Sequence, residues 1–197
     1  MKTICTALVA AVALSGSAAH AAEGLSDRFS AMAGLSQWTL FRGGNIAFEA
    51  DLGRLGLEVS HGQGLDLNQV PALGLTSAER EAGARVRVPW TTGFGVGYRI
   101  TEDLLVLVEF KAHHFEVSGT DRNVEASYTA FSIGPGIFYM IHLWRGLFIQ
   151  PNIRYWPNVA STLEGGKVAL RQLDGSTYVH EAHSFGLFAN MNVGWTF

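Results

Sequence analysis

The stretch from Ala182 to Phe197, AHSFGLFANMNVGWTF, constrains the fold of this chain more than any other. Every second residue back from its end is apolar: Phe197, Trp195, Val193, Met191, Ala189, Leu187 and Phe185. The intervening set, Thr196, Gly194, Asn192, Asn190, Phe188, Gly186 and Ser184, is mostly small or polar. A period of two marks a β-strand with two chemically different faces. At ~3.3 Å per residue the run from Phe185 to Phe197 reaches roughly 43 Å. Tilted by ~40°, it spans more than the ~25 Å apolar band of an outer-membrane barrel. An apolar face of that length, closed by an aromatic residue, suits a strand whose outer wall meets lipid.

The pattern recurs upstream. Asn45 to Leu52 alternates, Gly53-Arg54 makes a tight turn, and Leu55, Leu57 and Val59 continue as the return strand of a hairpin. Gly62 to Ala84 has no strand period; within it Thr76-Ser77-Ala78-Glu79 has the spacing of a capping box. Arg85 to Ile100 reads as a strand with Val86, Val88, Trp90, Phe94, Val96 and Tyr98 outward and Arg85, Arg87 and Arg99 inward. Leu104 to Glu116, Ser127 to Leu143 and Leu147 to Trp156 complete the set before a long loop, Pro157 to Glu181. Pro89, Pro135 and Pro151 lie inside these strands, where each removes a ladder bond and predicts a bulge.

Residues 1–21 read as a cleaved signal peptide: Lys2, an apolar core from Ile4 to Leu14, and Ala19-His20-Ala21 as the cleavage site. The one cysteine, Cys5, falls within it, so no disulfide is expected in the exported chain. Residues 22–36 form a lead-in able to coil into a short helix, and residues 37–197 form the barrel. A net charge of −3 without a basic stripe excludes nucleic acid as a partner.

Connections alternate between short (Gly53-Arg54, Thr101 to Asp103, Trp144 to Gly146) and long, as in outer-membrane barrels. Seven strands are plain, and a closed barrel with both ends on one side needs an even number. Gln37 to Phe41, with Trp38 and Leu40 on one side, is the expected eighth, lying first in the chain. The fold class is therefore all-β: an eight-stranded antiparallel transmembrane barrel. Closure has a physical cause, because an open edge in hydrocarbon leaves backbone groups unpaired at several kcal/mol each. From Gln37 to Phe197 the sequence resembles the small eight-stranded outer-membrane barrels of the OmpA and OmpX kind, most specifically in the VGWTF ending. The resemblance implies an outer-membrane location, and it makes Met191, Val193, Trp195 and Phe197 a signal for the barrel-assembly machinery. It assigns no activity.

By alternation the lumen should hold Glu49, Asp51, Glu58, Arg99, Glu109, Lys111, Gln150, Asn152, Arg154, Asn190 and Asn192. Buried charges in a narrow barrel must pair, giving either a polar plug or an ion-conducting constriction. His61, His113, His114, His180 and His183 map to the rim. Their spacing sets out no metal site; His113 and His180 come nearest to ligands, and no cofactor is expected. His183 and Ser184 with Glu181 or Glu116 supply the residue types of a Ser-His-acid site. Some barrels of the kind it resembles are lipid A deacylases or palmitoyltransferases, and that resemblance would make the chain a lipid A-modifying enzyme. Arg80, Arg85 and Arg87 could meet lipopolysaccharide phosphates. The reading these features favour is a monomeric, non-catalytic envelope protein. Its partners are outer-membrane lipids and lipopolysaccharide, and its outer loops meet the environment.

Overall fold

The computed structural model describes residues 27–119, 124–172 and 175–197; the signal peptide read in residues 1–21 lies outside them. Eight staves close into an antiparallel barrel. In chain order the strands are β1 (Arg28–Gly34), β2 (Gly44–Leu52), β3 (Leu55–Asp66), β4 (Arg85–Arg99), β5 (Leu104–Ser118) and β6 (Val124–Tyr139). Then come β7 (Ile141–Trp144), β8 (Leu147–Trp156), β9 (Asn158–Ser161), β10 (Lys167–Arg171), β11 (Thr177–Glu181) and β12 (Gly186–Thr196). β7 prolongs β6, and β9 prolongs β8 beyond Pro157. β8 pairs with both β6 and β12, and β12 with β1, so the ring closes. β10 and β11 form a separate hairpin in the last long loop.

The first strand lies elsewhere than the sequence reading puts it. Arg28–Gly34 is the first strand, and Leu35–Thr39 is a short helix, α1. The barrel thus begins inside the segment read as a lead-in. In β1 the outward Phe29, Ala31 and Ala33 alternate with inward Ser30, Met32 and Gly34. Four small residues flatten the hydropathy contrast, so the period of two is faint. Gln37, assigned to the expected strand, is instead buried on α1 while Trp38 stays exposed.

The prolines act differently from one another. At Pro89 the pairing of β4 with β5 shifts by one residue between Arg87 and Trp90, the expected bulge. Opposite Pro89, Gly64 on β3 takes a left-handed φ of 67°. Both strands reverse their facing there. Below it Glu58, Ser60 and Gly62 point in; above it Leu65, Leu67, Val86 and Val88 are buried, while Arg85 and Arg87 are exposed. This corrects the single-phase reading of β4, which has Val86 and Val88 outward and the two arginines inward. It also shows why Gly62 to Ala84 looks aperiodic: β3 continues to Asp66 through a change of phase. At Pro151 no shift occurs; the ladder lapses and resumes in the same register, Phe138 opposite Asn152 and Ile141 opposite Ile149. Pro135 stands in register opposite Val108.

The outer wall carries an apolar belt. Phe48 is 55% exposed, Phe94 49%, Ile137 54% and Ile153 55%. Along β4 the outward row from Trp90 to Ile100 covers roughly 33 Å of strand, about 25 Å once tilted, the height of a hydrocarbon core. Tyr98, Tyr139, Trp144 and Trp195 mark its edge at the short-turn end. At the long-loop end the barrel continues as a cap filled by Phe41, Leu65, Leu67, Leu75, Val86, Val88, Phe115, Val117, Tyr128 and Leu170.

Candidate functional site

Two polar assemblies are buried in this barrel, one in the lumen and one in the cap. The eleven residues assigned to the lumen by alternation are all buried. They lie on different strands at matching heights because each strand sends alternate residues inward. Toward the short-turn end Arg99 donates to Glu49 at 3.0 Å and also pairs with Asp51, which takes a second contact from Arg28 at 3.2 Å. Higher up, Lys111 lies 3.3 Å from Glu58 and 3.2 Å from Glu109, and Arg154 lies 3.6 Å and 3.2 Å from the same two acids. Four carboxylates thus face four cations.

Amides take up further valences, while Asp51 Oδ1, Glu58 Oε2 and Arg99 Nε keep no hydrogen-bond partner among the described residues. Gln150 donates to Glu49 at 3.1 Å, Asn192 to Gln150 at 2.9 Å, and Asn190 to Asn192 at 2.7 Å. Arg154 Nε donates to Asn152 at 2.9 Å, and the indole of Trp156 donates to Glu109 at 3.1 Å. Trp156, Phe185 and Phe188 close over the network, while Phe138, packed with Leu105 and Leu107 toward the short-turn end, lies beneath it with the Arg154 guanidinium 4.6 Å from its ring centre. The alternation places Phe185 on the outer face of the closing strand. It packs inward instead, because β12 starts only at Gly186, whose φ of 58° turns the chain. Between network and cap, a cavity of about 20 Å³ is lined by Gln37, Lys111, His113, Arg154 and the rings of Trp156, Phe185 and Phe188. That is room for about one water molecule.

The cap assembly begins with the capping box. Thr76 Oγ1 accepts from the Glu79 backbone at 3.2 Å, and Glu79 Oε2 accepts from the Thr76 backbone at 2.6 Å, which starts the helix α3 (Ser77–Glu81) after α2 (Pro71–Gly74). The other Glu79 oxygen receives His183 Nδ1 at 3.1 Å and faces His180 Nδ1 at 3.3 Å, more obliquely. The backbone N–H of His183 donates to the Tyr128 hydroxyl at 2.9 Å, which leaves the phenol proton for His180 Nε2 at 2.8 Å. On that assignment His180 carries its proton on Nδ1, toward Glu79. The result is a closed ring, His183–Tyr128–His180–Glu79, tying the β3–β4 loop to the β8–β12 loop across the barrel mouth. Burial alone would raise the Glu79 carboxyl. The donors of His180 and His183, the charge of His183 and the Thr76 N–H outweigh it and hold the group well below the usual carboxylate range.

The residues proposed for a Ser-His-acid site do not meet. His183 is bound to Glu79. Ser184 Oγ donates to the Trp156 carbonyl at 3.3 Å and accepts from Asn158 N at 3.2 Å. Glu181 pairs with Lys167 at 2.7 Å on the exposed hairpin. His183 is buried and Ser184 next to it is exposed, so the two side chains diverge. The rim histidines scatter likewise. His61 is exposed on the outer wall, His113 is buried against Thr91 at 2.7 Å, and His114 lies outside, stacked 5.4 Å from Trp90. His113 and His180 share no ion site; among the described residues no group of three or more His, Cys, Asp or Glu could hold a metal. Of the arginines assigned to phosphate, Arg80 is spent on the Pro71 and Leu75 carbonyls, and Arg87 faces Asp66 and Glu116 across its ladders. Met191, Trp195 and Phe197 are exposed on the outer wall, and Val193 is half-buried beside them.

Sequence reasoning missed Glu79 and Tyr128 as partners of the histidines. The capping box locates Glu79, but His183 lies 104 residues away, and no local pattern announces that contact.

No family model and no curated protein sequence matches the chain. Among solved structures it is similar to a major outer membrane protein from Thermus thermophilus, at 15% identity and a TM-score of 0.43. That alignment covers 87% of this chain and 100% of that one. It is also similar to the Yersinia pestis outer membrane protein Ail in a phospholipid bilayer nanodisc, at 14% identity, a TM-score of 0.43 and the same coverage.

Proposed function

We propose that this chain is an integral, monomeric outer-membrane barrel whose lumen is a structural plug and whose capped loop end carries a structural or interaction role. The observation that supports this reading is the inversion of the belt region. Its apolar residues face outward in a band about as tall as a hydrocarbon core, while its charged residues face inward and are paired. The long-loop end is then the cell exterior, the short turns face the periplasm, and the surrounding lipids include lipopolysaccharide. Delivery by the barrel-assembly machinery through the Met191 to Phe197 row belongs to the same reading.

The plug argues for a resting barrier in place of a channel. Moving an ion through it would separate charges whose isolation costs several kcal/mol apiece. Among the described residues, His183, Ser184 and Glu181 do not come together as a catalytic set. The test is purification from isolated outer membranes, followed by planar-bilayer recording and lipid A mass spectrometry. Resistance to urea extraction, absence of stepwise conductance and an unchanged lipid A spectrum are expected. Extraction by urea would overturn the membrane assignment; ohmic steps that change on Glu109→Gln would make it a channel; loss or gain of an acyl chain would make it an enzyme.

A further inference from the structure

The apolar belt has a polar interruption near the top of β2, β3 and β4. In one row across the ladders, Ile46 lies beside His61 and His61 beside Thr92; in the next row up, Gly44 lies beside Gln63 and Gln63 beside Trp90. His61, Gln63 and Thr92 are exposed on the lipid side, and neither His61 nor Gln63 has a side-chain partner among the described residues. Below these rows Phe48, Val59 and Phe94 line an open apolar furrow. Above them Trp38, Arg42, Gln63 and Pro89 line a second cleft, floored by glycine backbone.

Arg42 is exposed, holds a left-handed φ of 53°, and makes no hydrogen bond or ion pair among the described residues. Such a conformation is uncommon for a side chain as large as Arg; here it aims a free guanidinium from the tip of the β1–β2 connection. Trp38 beside it is 55% exposed, with Nε1 3.4 Å from the Asn45 carbonyl. The two clefts adjoin, since successive outward rows are only about 7 Å apart.

We propose that this wall binds one phosphate-bearing lipid of the outer leaflet, its phosphate on Arg42 and an acyl chain along Phe48, Val59 and Phe94. The proposal rests on the membrane orientation given above and adds a site to it. Charge complementarity selects the ligand. A guanidinium without an acid partner, at the height where apolar wall gives way to polar residues, matches a headgroup phosphate bidentately. Gln63 and His61, one and two rows along, supply donors for further headgroup oxygens. An ordinary acyl chain needs no more than the furrow.

The test is native mass spectrometry of the protein purified in a maltoside detergent, which carries no phosphate. Phosphorylated lipid A is compared with the same lipid A after its phosphates are removed. The wild type should retain one phosphorylated molecule with a preference of about ten-fold or more, as a charge-assisted bidentate contact implies. Arg42→Gln and Arg42→Gly, the latter suited to the left-handed φ, should reduce that preference to about two-fold or less. Arg85→Gln, an equal change in net charge, should leave it intact, and Val59→Trp, which fills the furrow, should weaken both lipids together. Three results overturn the site: no preference in the wild type, an undiminished preference in both Arg42 variants, or displacement by millimolar inorganic phosphate, which would make free phosphate the ligand. Failure of the membrane reading shows separately, as a chain that does not insert into vesicles or acquire β-sheet circular dichroism.

Discussion

The barrel has two halves with opposite chemistry on the same staves. In the belt, β5 sends Glu109, Lys111 and His113 inward and Val108 and Phe110 outward. A few residues on, in the cap, the same strand sends Phe115 and Val117 inward and His114 and Glu116 outward. β5 manages this by changing composition without changing phase. β3 and β4 manage it by changing phase, at Gly64 and Pro89. What differs is the solvent outside. Against hydrocarbon, polar groups must satisfy one another within the lumen. Against water, the ordinary arrangement of an apolar interior returns. The cap is a small soluble-type core built on the end of a membrane-type barrel, and the belt is held by paired charge where the cap is held by packed rings.

The largest effect should come from unbalancing the belt. Arg154→Met leaves Glu58 and Glu109 with Lys111 alone, and losing one partner of a buried set costs about 3–5 kcal/mol; urea unfolding of the reconstituted protein should show it. Phe115→Ala empties the centre of the cap, where Phe115 touches Tyr128, His183 and Phe185. Its cost is also about 3–5 kcal/mol, yet proteolysis should find it confined to the long loops, with the belt intact.

The outer walls should separate the halves next. Ile153→Arg places a charge in the lipid-facing belt and should cost about 2–4 kcal/mol. Arg85→Leu, on the water-facing wall of the cap, should stay within about 0.5 kcal/mol. Equal costs for the two would erase the distinction.

A further predicted effect, in the cap, carries a pH signature. Glu79→Gln removes the anion from its ring with His180 and His183, at about 1–3 kcal/mol. Because the folded state holds the Glu79 carboxyl below its ordinary pKa, its contribution is full above the unfolded value of about 4.3 and is lost as pH falls below it. Hydrogen exchange at the β3–β4 loop should therefore quicken between about pH 4 and pH 2 in the wild type and lose that step in Glu79→Gln.

The belt is legible in the sequence because lipid imposes a strict period of two. The lumenal acids and bases from Glu49 to Arg154 follow from counting alternate residues within an unbroken strand; Arg28, on the strand the sequence hides, does not. The cap is not, for three separate reasons. Gly64 and Pro89 reset the count, which hides the top of β3 and turns Arg85 and Arg87 the wrong way. Ala31, Ala33 and Gly34 dilute the contrast that would mark β1, so Trp38 and Leu40, on or beside a helix, draw attention to the wrong segment. The histidine ring depends on loop contacts distant in sequence, of which only the Thr76–Glu79 box leaves a local trace. Arg42 likewise shows no pattern; it shares an exposed side chain and a left-handed φ with Arg145, which stacks on Trp144, and is set apart by having no partner among the described residues.

The central claim is that the outer wall changes solvent partway up. β6 tests it most directly, since its outward row runs from Ser127 and Thr129 through Phe131 and Ile133 to Ile137. Single cysteines carrying a nitroxide at each position, in protein reconstituted into lipid vesicles, can be relaxed by dissolved oxygen or by a water-soluble nickel chelate. The account predicts oxygen-dominated relaxation at Ile137, Ile133 and Phe131, and nickel-dominated relaxation at Thr129 and Ser127. Nickel access along the whole row, or oxygen dominance up to Ser127, would contradict it.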